Sequence, residues 1–464
     1  MNEVFLINPP LYYQGFKPEA LDVSYPPLGI LYLAAVLEKK GIGVRAIDVG
    51  AQNQRLTETI KLIKREKPVI VGISSMTPTL QGAVTLAQAI KKKCDCRISL
   101  GLGGSHISAD PEFIKRVKGF DFGVLGEGEG IFPDLVKKAL TGKKIKGIHA
   151  GQPVENLDSL PWPVRHLLKE AKYLKRASMI ATRGCPFHCY YCSRPAVSDR
   201  VRCRHPEDIV NEMESLYLAC GGEYLFQDDS FTLRKDHTTR LCEEMLRRKR
   251  KFRWAAYTRV DLVNEKLLAL MAKAGCYSLT FGIESGNEDL RIKVIGKNFT
   301  NQQVIKILKL CGKYKIEADG FFMFGHPTET PGQVKETISF ILKNNFNIIG
   351  VSIATPFPGS KLWDYAVKAG IIDFDFIDQF ARGEKGKGYA GVYPVYVPKS
   401  LDLDWLYKQR QKIMRGFYLR PRYILKRLIR DISSPSRLKQ DFIEGINVLA
   451  KGSSARAPYQ KKAG

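Results

Sequence analysis

No apolar run in these 464 residues approaches the ~18 that a membrane-spanning helix needs. Met1–Phe5 lacks the basic-then-apolar pattern of a secretory signal, so secretion is not expected. Acidic residues are outnumbered, 47 Asp+Glu against 73 Lys+Arg, for a net charge of +26. Apart from an alternation of strand and helix patterns there is no internal repeat, and there is no low-complexity block. With 44% hydrophobic and 26% charged residues, the chain is neither disordered nor collagen-like. Its length suits two or three domains, each with its own core.

There are ten cysteines, and without a secretory signal they read as reduced thiols rather than a disulfide framework. Single cysteines inside apolar periodic segments, such as Cys242 and Cys311, read as small buried hydrophobes. Cys185, Cys189 and Cys192 do not scatter in this way.

Residues 1–150 alternate β-rich runs with helical patterns, as in a parallel, Rossmann-like open sheet. The expected strands are Val4–Asn8, Val44–Val49, Val69–Ser75, Arg97–Leu100 and Phe122–Leu125, with helices such as Leu28–Lys40 and Leu80–Lys93 between them. Small residues gather at or just past the strand ends: Ser74, Ser75, Met76 and Thr77; Gly103, Gly104, Ser105 and His106; Gly126 and Glu127. They would let a backbone approach a large ligand in the crevice beyond the strands' carboxyl ends. Gly101, Gly103 and Gly104 do not form G-x-G-x-x-G, so this turn carries no dinucleotide fingerprint.

Residues 151–176 read as a linker, with three prolines in Pro153–Pro163. Residues 177–370 hold a second run of six βα repeats, expected to form a partial (β/α)6 barrel. Its strands are Met179–Thr182, Tyr224–Gln227, Phe252–Tyr257, Ser278–Ile283, Gly320–Phe324 and Ile348–Ala354. Residues 371–464 read as a basic helical region; from Lys399 onward it has 16 Lys/Arg against 5 Asp/Glu. Trp405–Lys426 interleaves aromatic and basic residues. It reads either as a solvated helical face closing the barrel or as an interfacial helix pair drawn to anionic headgroups.

The three cysteines lie at C-x3-C-x2-C directly after a strand. Three soft thiolates on one tight loop suit an iron–sulfur cluster, or zinc with a fourth ligand from His188 or Cys203. With Tyr191 just before the last cysteine, the motif resembles that of the radical S-adenosylmethionine (SAM) superfamily. The resemblance implies a [4Fe-4S] cluster on Cys185, Cys189 and Cys192, with SAM on its open iron. It also implies SAM contacts from Tyr191, from Asp228 and Asp229 after the second barrel strand, and from Glu284 after the fourth. Arg259 would meet the SAM carboxylate or a substrate, and Phe324, in Gly320–Pro327, would line the adenine.

The order of domains resembles the cobalamin-binding-domain (class B type) radical SAM proteins over roughly residues 3 to 430. That resemblance implies cobalamin over the first sheet, beside Ser74–Thr77, Gly103–His106, Gly126 and Glu127. No histidine here has an aspartate two positions before it, so D-x-H-x-x-G is absent and no protein histidine is expected on the cobalt. The implied activity is a cobalamin-dependent methyltransferase acting on an unactivated carbon through a 5′-deoxyadenosyl radical and methylcobalamin. No protein catalytic residue is expected. The alternative is a radical SAM enzyme whose first domain is structural, catalysing oxidation, cyclisation or carbon–carbon coupling. The expected partners are a small-molecule or lipid substrate, a flavodoxin- or ferredoxin-type electron donor, and a membrane surface met through the basic C-terminal region. Nucleic acid is not expected, since no RNA-binding module is recognisable. The expected location is cytoplasmic, with peripheral contact at the inner face of the membrane.

Overall fold

A computed structural model describes residues 3–11, 25–95, 97–169, 171, 173, 176–193, 198–248, 250–373, 375–384, 396–421, 423–425 and 427. The basic tail beyond residue 427 lies outside the described residues, as does Cys96.

The first sheet contains β1 (Val4–Asn8), β2 (Val44–Asp48), β3 (Ile70–Ser74), β4 (Ser99–Gly103), β5 (Phe122–Gly126) and β6 (Gly147–Gly151). They are parallel throughout, in the order β2-β1-β3-β4-β5-β6. Both faces of the sheet are covered, which is why Val4-Phe5-Leu6-Ile7 is an unbroken apolar run. Phe5 and Ile7 face a core shared with Leu80–Lys93, and Val4 and Leu6 a core shared with Leu28–Lys39. Because β1 lies between β2 and β3, the strand order reverses there and opens a crevice beside Asn8 and Ser74.

Two elements depart from the expected list. β6 (GIHAG) is a half-exposed edge strand without an apolar run, so no periodicity marked it. β4 starts two residues later than expected and runs on through its glycines. The Phe122 ring packs so closely that a Cβ at Gly101 would lie 2.3 Å from it.

The second sheet is the partial barrel. After β7 (Ala177–Met179) come the short antiparallel pair β8 (Thr182–Arg183) and β9 (Arg202–Cys203). Then follow β10 (Glu223–Phe226), β11 (Arg253–Thr258), β12 (Cys276–Glu284), β13 (Glu317–Phe324) and β14 (Ile349–Ile353). The order β14-β13-β12-β11-β10-β7 is sequential and parallel, with the barrel open between β14 and β7. Helices on the outer face are cleanly started: Thr300 and Thr330 each form a capping box with a glutamine three residues on.

The expected C-terminal helical region, residues 371–464, divides between the two cores. Phe376 and Phe380 pack into the core of the first sheet, as do Leu362 and Ala366 of the last expected barrel helix, whereas Leu406, Ile413 and Phe417 of Leu403–Tyr418 pack into the barrel. Tyr418 Oη donates to the Ile349 carbonyl at 2.7 Å, fixing that helix to β14. In this segment the aromatic residues Trp405, Tyr407 and Tyr418 pack against the barrel core. No helix among the described residues is long and apolar enough to cross a membrane.

Candidate functional site

The three-cysteine loop leaves β8 at the mouth of the barrel. Gly184 has φ +96°, and a Cβ there would lie 2.0 Å from the Arg200 carbonyl, so only glycine lets the chain turn between Arg183 and Cys185. The loop is tied from both sides: Tyr190 N–H donates to the Ile295 carbonyl at 3.1 Å, and Leu362 N–H to the Tyr190 carbonyl at 3.0 Å. None of the three cysteines is in a disulfide, and all are partly exposed. Arg259 stacks 3.7 Å above the Phe187 ring and directs Nη1 to Cys189 Sγ at 3.8 Å. The guanidinium donates to that sulfur, and three sulfur donors on one tight loop fit an iron–sulfur cluster. Among the described residues no three His, Cys, Asp or Glu side chains gather around one point as a single zinc ion would need.

The expected SAM residues fall in different surroundings. Asp228 is buried, and its carboxylate accepts Ala181 N–H at 3.2 Å, Thr182 Oγ1–H at 2.6 Å and Thr182 N–H. It therefore holds the strand end that launches the cysteine loop, and its oxygens are not presented to a ligand. Burial pushes its pKa up to about 6. β7 ends at Met179, short of the expected Thr182: Ala181 and Thr182 N–H donate to Asp228, and Thr182 begins β8. Asp229 is close enough to Cys185 for its charge, after burial, to push that thiol up. Arg259 forms a two-point pair with Asp261, at 3.0 and 2.8 Å, besides its contact with Cys189. Phe324 departs from expectation: it is fully buried in the core between barrel and helices. Alternation along β13 puts Phe321 and Met323 on the opposite face.

Glu284 ends β12 in a left-handed conformation, φ +68°. Its Oε1 accepts from Tyr191 Oη and from Lys297 Nζ, each at 2.7 Å, and Lys297 also donates to the Gly282 carbonyl at 2.8 Å. Lys297 was not singled out in the sequence, since nothing local distinguishes it. His326 lies within the expected Gly320–Pro327 segment but is not distinguished there by sequence. It is fully buried beside the Tyr191 ring, and burial holds its pKa down to about 4. Glu329 caps that turn by accepting Gly325 and His326 N–H at 2.6 and 3.0 Å. Burial pushes its carboxyl up to about 7.

At the first sheet, the loops after β3 and β4 are locked together. Ser75 Oγ meets Thr79 Oγ1 at 3.0 Å, and Thr77 Oγ1 meets His106 Nδ1 at 3.0 Å. A Cβ at Gly104 would lie 2.6 Å from the Ser75 carbonyl. His106 is buried behind this contact, with its pKa held down to about 3 by burial, so it is not placed to bind a cobalt. Met76 by contrast is 57% exposed, and the space beside Gly103 is empty to 4 Å. An exposed thioether beside an open glycine edge fits a broad apolar ring such as a corrin. Gly126 N–H donates to Ser108 Oγ at 2.8 Å. Glu127 turns toward the barrel: Arg202 reaches both its oxygens, at 2.7 and 2.8 Å, and Val154 N–H adds a third contact. Its side chain thus serves the junction of the two sheets and is not turned to the crevice. Arg183 joins the same junction by pairing with Glu129 at 2.8 Å and stacking 4.8 Å over the Tyr32 ring.

Comparison with known proteins agrees with this geometry. The model of the radical SAM superfamily matches residues 179–341, and that of the B12 binding domain matches residues 20–136. An uncharacterized methyltransferase of Pyrococcus horikoshii is 31% identical over 445 residues, 91% of this chain and 94% of that protein. An anaerobic magnesium-protoporphyrin IX monomethyl ester cyclase of Rubrivivax gelatinosus is 27% identical over 452 residues, 91% of this chain and 78% of that one. The solved structure of the radical SAM methyltransferase TsrM from Kitasatospora setae, with cobalamin and a [4Fe-4S] cluster bound, superposes with TM-score 0.66 at 21% identity. It covers 80% of this chain and 78% of that chain, and it shows the fold.

Proposed function

This chain belongs to the cobalamin-binding-domain radical SAM family, and from that premise we propose that it is a cobalamin-dependent methyltransferase acting on an unactivated carbon of a small molecule. The observation that carries the reading is a juxtaposition. The strands flanking the three-cysteine loop are bonded, through Arg183–Glu129 and Arg202–Glu127, to the turn that follows β5 in the B12-type sheet. The two cofactor regions are thereby held against each other.

When bound, the cluster and SAM would supply radical hydrogen-atom abstraction from the acceptor, and cobalamin would supply the methyl group. Cys185, Cys189 and Cys192 would hold the cluster, with Arg259 stabilising the sulfur charge. Asp229 is the carboxylate at the strand end that can accept from the SAM amino group. Glu284 gives Oε1 to Tyr191 and Lys297, which leaves Oε2 for a ribose hydroxyl. Met76 and the Gly103 edge would bear on the corrin. Asp228 acts on the cluster only by positioning its loop. No side chain is required to move a proton. The reductant is an electron donor of flavodoxin or ferredoxin type. Leu419, Ile424 and Leu425, exposed beside Arg420, support a finer reading in which the protein touches anionic lipid peripherally. Co-sedimentation with phosphatidylglycerol vesicles, compared with phosphatidylcholine, tests it.

A joint assay of iron, sulfide and cobalamin on anaerobically prepared protein tests the main reading. About four irons and one cobalamin per chain are expected. Four irons without cobalamin would favour the second reading, ring closure or oxidation without methyl transfer, which the cyclase relative keeps in view.

A further inference from the structure

Below the level of Glu284 and Arg259, the inner face of the barrel is not packed shut. Phe321 stands in the middle of β13, flanked by strands on both sides, yet it is 44% exposed. Its register partners are Gly282 on β12 and Gly350 on β14. A Cβ at Gly350 would lie 2.8 Å from the Phe321 ring, so the absence of a side chain there lets the ring lie down across β14. Tyr257 of β11 lies beside it, with centroids 6.3 Å apart and planes tilted by 33°. Two neighbouring rings beside an open space form one wall of a chamber suited to a flat or unsaturated body.

The floor of that chamber carries a cation. Arg176, immediately before β7, donates to Tyr277 Oη at 3.2 Å and to Tyr25 Oη, and stacks 5.0 Å over the Tyr25 ring. Its charge also reaches Tyr257. Glu223, whose charge acts on Arg176, is engaged at one remove, accepting Tyr277 Oη–H at 2.7 Å. Among the described residues no carboxylate pairs with Arg176, and its buried Nε has no partner. A second cation, Arg253, lies 3.8 Å over the Tyr277 ring. A half-buried guanidinium whose direct partners among the described residues are phenols, with Glu223 acting on it only through space, leaves its fork open to an arriving anion.

We infer that this chamber holds the methyl acceptor, an elongated molecule whose anionic oxyacid group, carboxylate or phosphate, is bound by Arg176 and whose flat or unsaturated body lies along Tyr257 and Phe321. The inference rests on the methyltransferase reading and adds a substrate class to it. Ala177 pairs with Tyr224, so Arg176 starts level with Glu223, four strand positions below Gln227 and the mouth of the barrel. At ~3.3 Å per residue that is about 13 Å. The reacting carbon would therefore lie on the order of 10 Å from the charged group once the reach of the arginine is allowed for.

The test uses holoprotein carrying cluster and cobalamin, with S-adenosylhomocysteine present, and equilibrium dialysis of radiolabelled probes. All-trans-retinoate and farnesyl diphosphate are the acids, and all-trans-retinol and farnesol their neutral counterparts. At least one acid is expected to bind tenfold or more tightly than its alcohol, and which acid does so separates carboxylate from phosphate. Arg176→Gln should erase that preference while alcohol binding survives. Arg176→Lys, which keeps the charge but loses the fork, should reduce the preference several-fold and covers the case in which the glutamine variant does not fold. Phe321→Ala should weaken acid and alcohol alike. The inference is overturned if neither acid outbinds its alcohol, or if the preference persists without Arg176. Cobalamin content of the same preparation judges the methyltransferase reading separately, because binding does not depend on turnover.

Discussion

Tyr191 Oη donates to Glu284 Oε1 at 2.7 Å, joining the cysteine loop to the end of β12 across 93 residues of chain. Lys297 grips the same oxygen from the other side. The carboxylate is thus oriented by a phenol and an ammonium before any ligand arrives, which lowers the ordering cost of binding one.

Tyr191→Phe removes the phenol donor and leaves Lys297 in place. The variant should fold and keep its iron, while SAM binds roughly fivefold more weakly, about the worth of one hydrogen bond. Iron analysis with a SAM titration checks both halves. Unchanged SAM affinity would show that this bond does not serve the ligand.

The neighbouring aspartates should behave differently. Asp228→Asn replaces an acceptor of three donors by an amide that can turn only one oxygen to them, so the cysteine loop should loosen and iron content fall. Asp229→Asn should keep the cluster and weaken SAM binding. Iron per chain and SAM affinity, measured on both variants, decide the matter. The reverse pattern would exchange the roles assigned to them.

The junction of the two sheets depends on a buried pair. The side chains of Arg202 and Glu127 are only 4% and 9% exposed. Glu127→Ala leaves the guanidinium buried without its partner and should cost about 3–5 kcal/mol, read from denaturant unfolding. Cobalamin retention should fall with it. Removing Arg97, which is 85% exposed in its pair with Asp95, should leave the unfolding midpoint where it was.

Asp319, inside β13, accepts Ser278 Oγ–H at 3.0 Å, and burial pushes its pKa up to about 7 from the ordinary 3.8. Below pH 4 the folded and unfolded chains both hold the proton. As pH rises toward 7 the unfolded chain releases it first, so the folded state loses up to about 1.4 kcal/mol per pH unit across that window. Asp319→Asn lacks this term. Its melting temperature relative to wild type should therefore climb between pH 5 and pH 8, and a constant difference would mean that Asp319 does not titrate there.

Much of the architecture followed from residues close together in the chain. Unbroken apolar runs marked strands covered on both faces, amphipathic stretches marked the helices between them, and C-x3-C-x2-C after a strand marked the loop at the barrel mouth. These signals are local because element type and the direction of its apolar face depend on periods of two and about 3.6 residues. β6 escaped notice for the same reason: an exposed GIHAG edge has no apolar period to read.

Tertiary structure alone decided which neighbours each polar side chain meets. Two adjacent aspartates look alike in sequence, yet Asp228 is taken up by backbone 46 and 47 residues away. Glu127, expected at the cobalamin crevice, is claimed by Arg202, 75 residues on. Phe324 turned outward because the alternation of β13 assigns that face to the helices, and the C-terminal region split because its apolar residues found two different cores. A buried polar or apolar group is stabilised by whatever the fold brings beside it, and such neighbours come from distant parts of the chain.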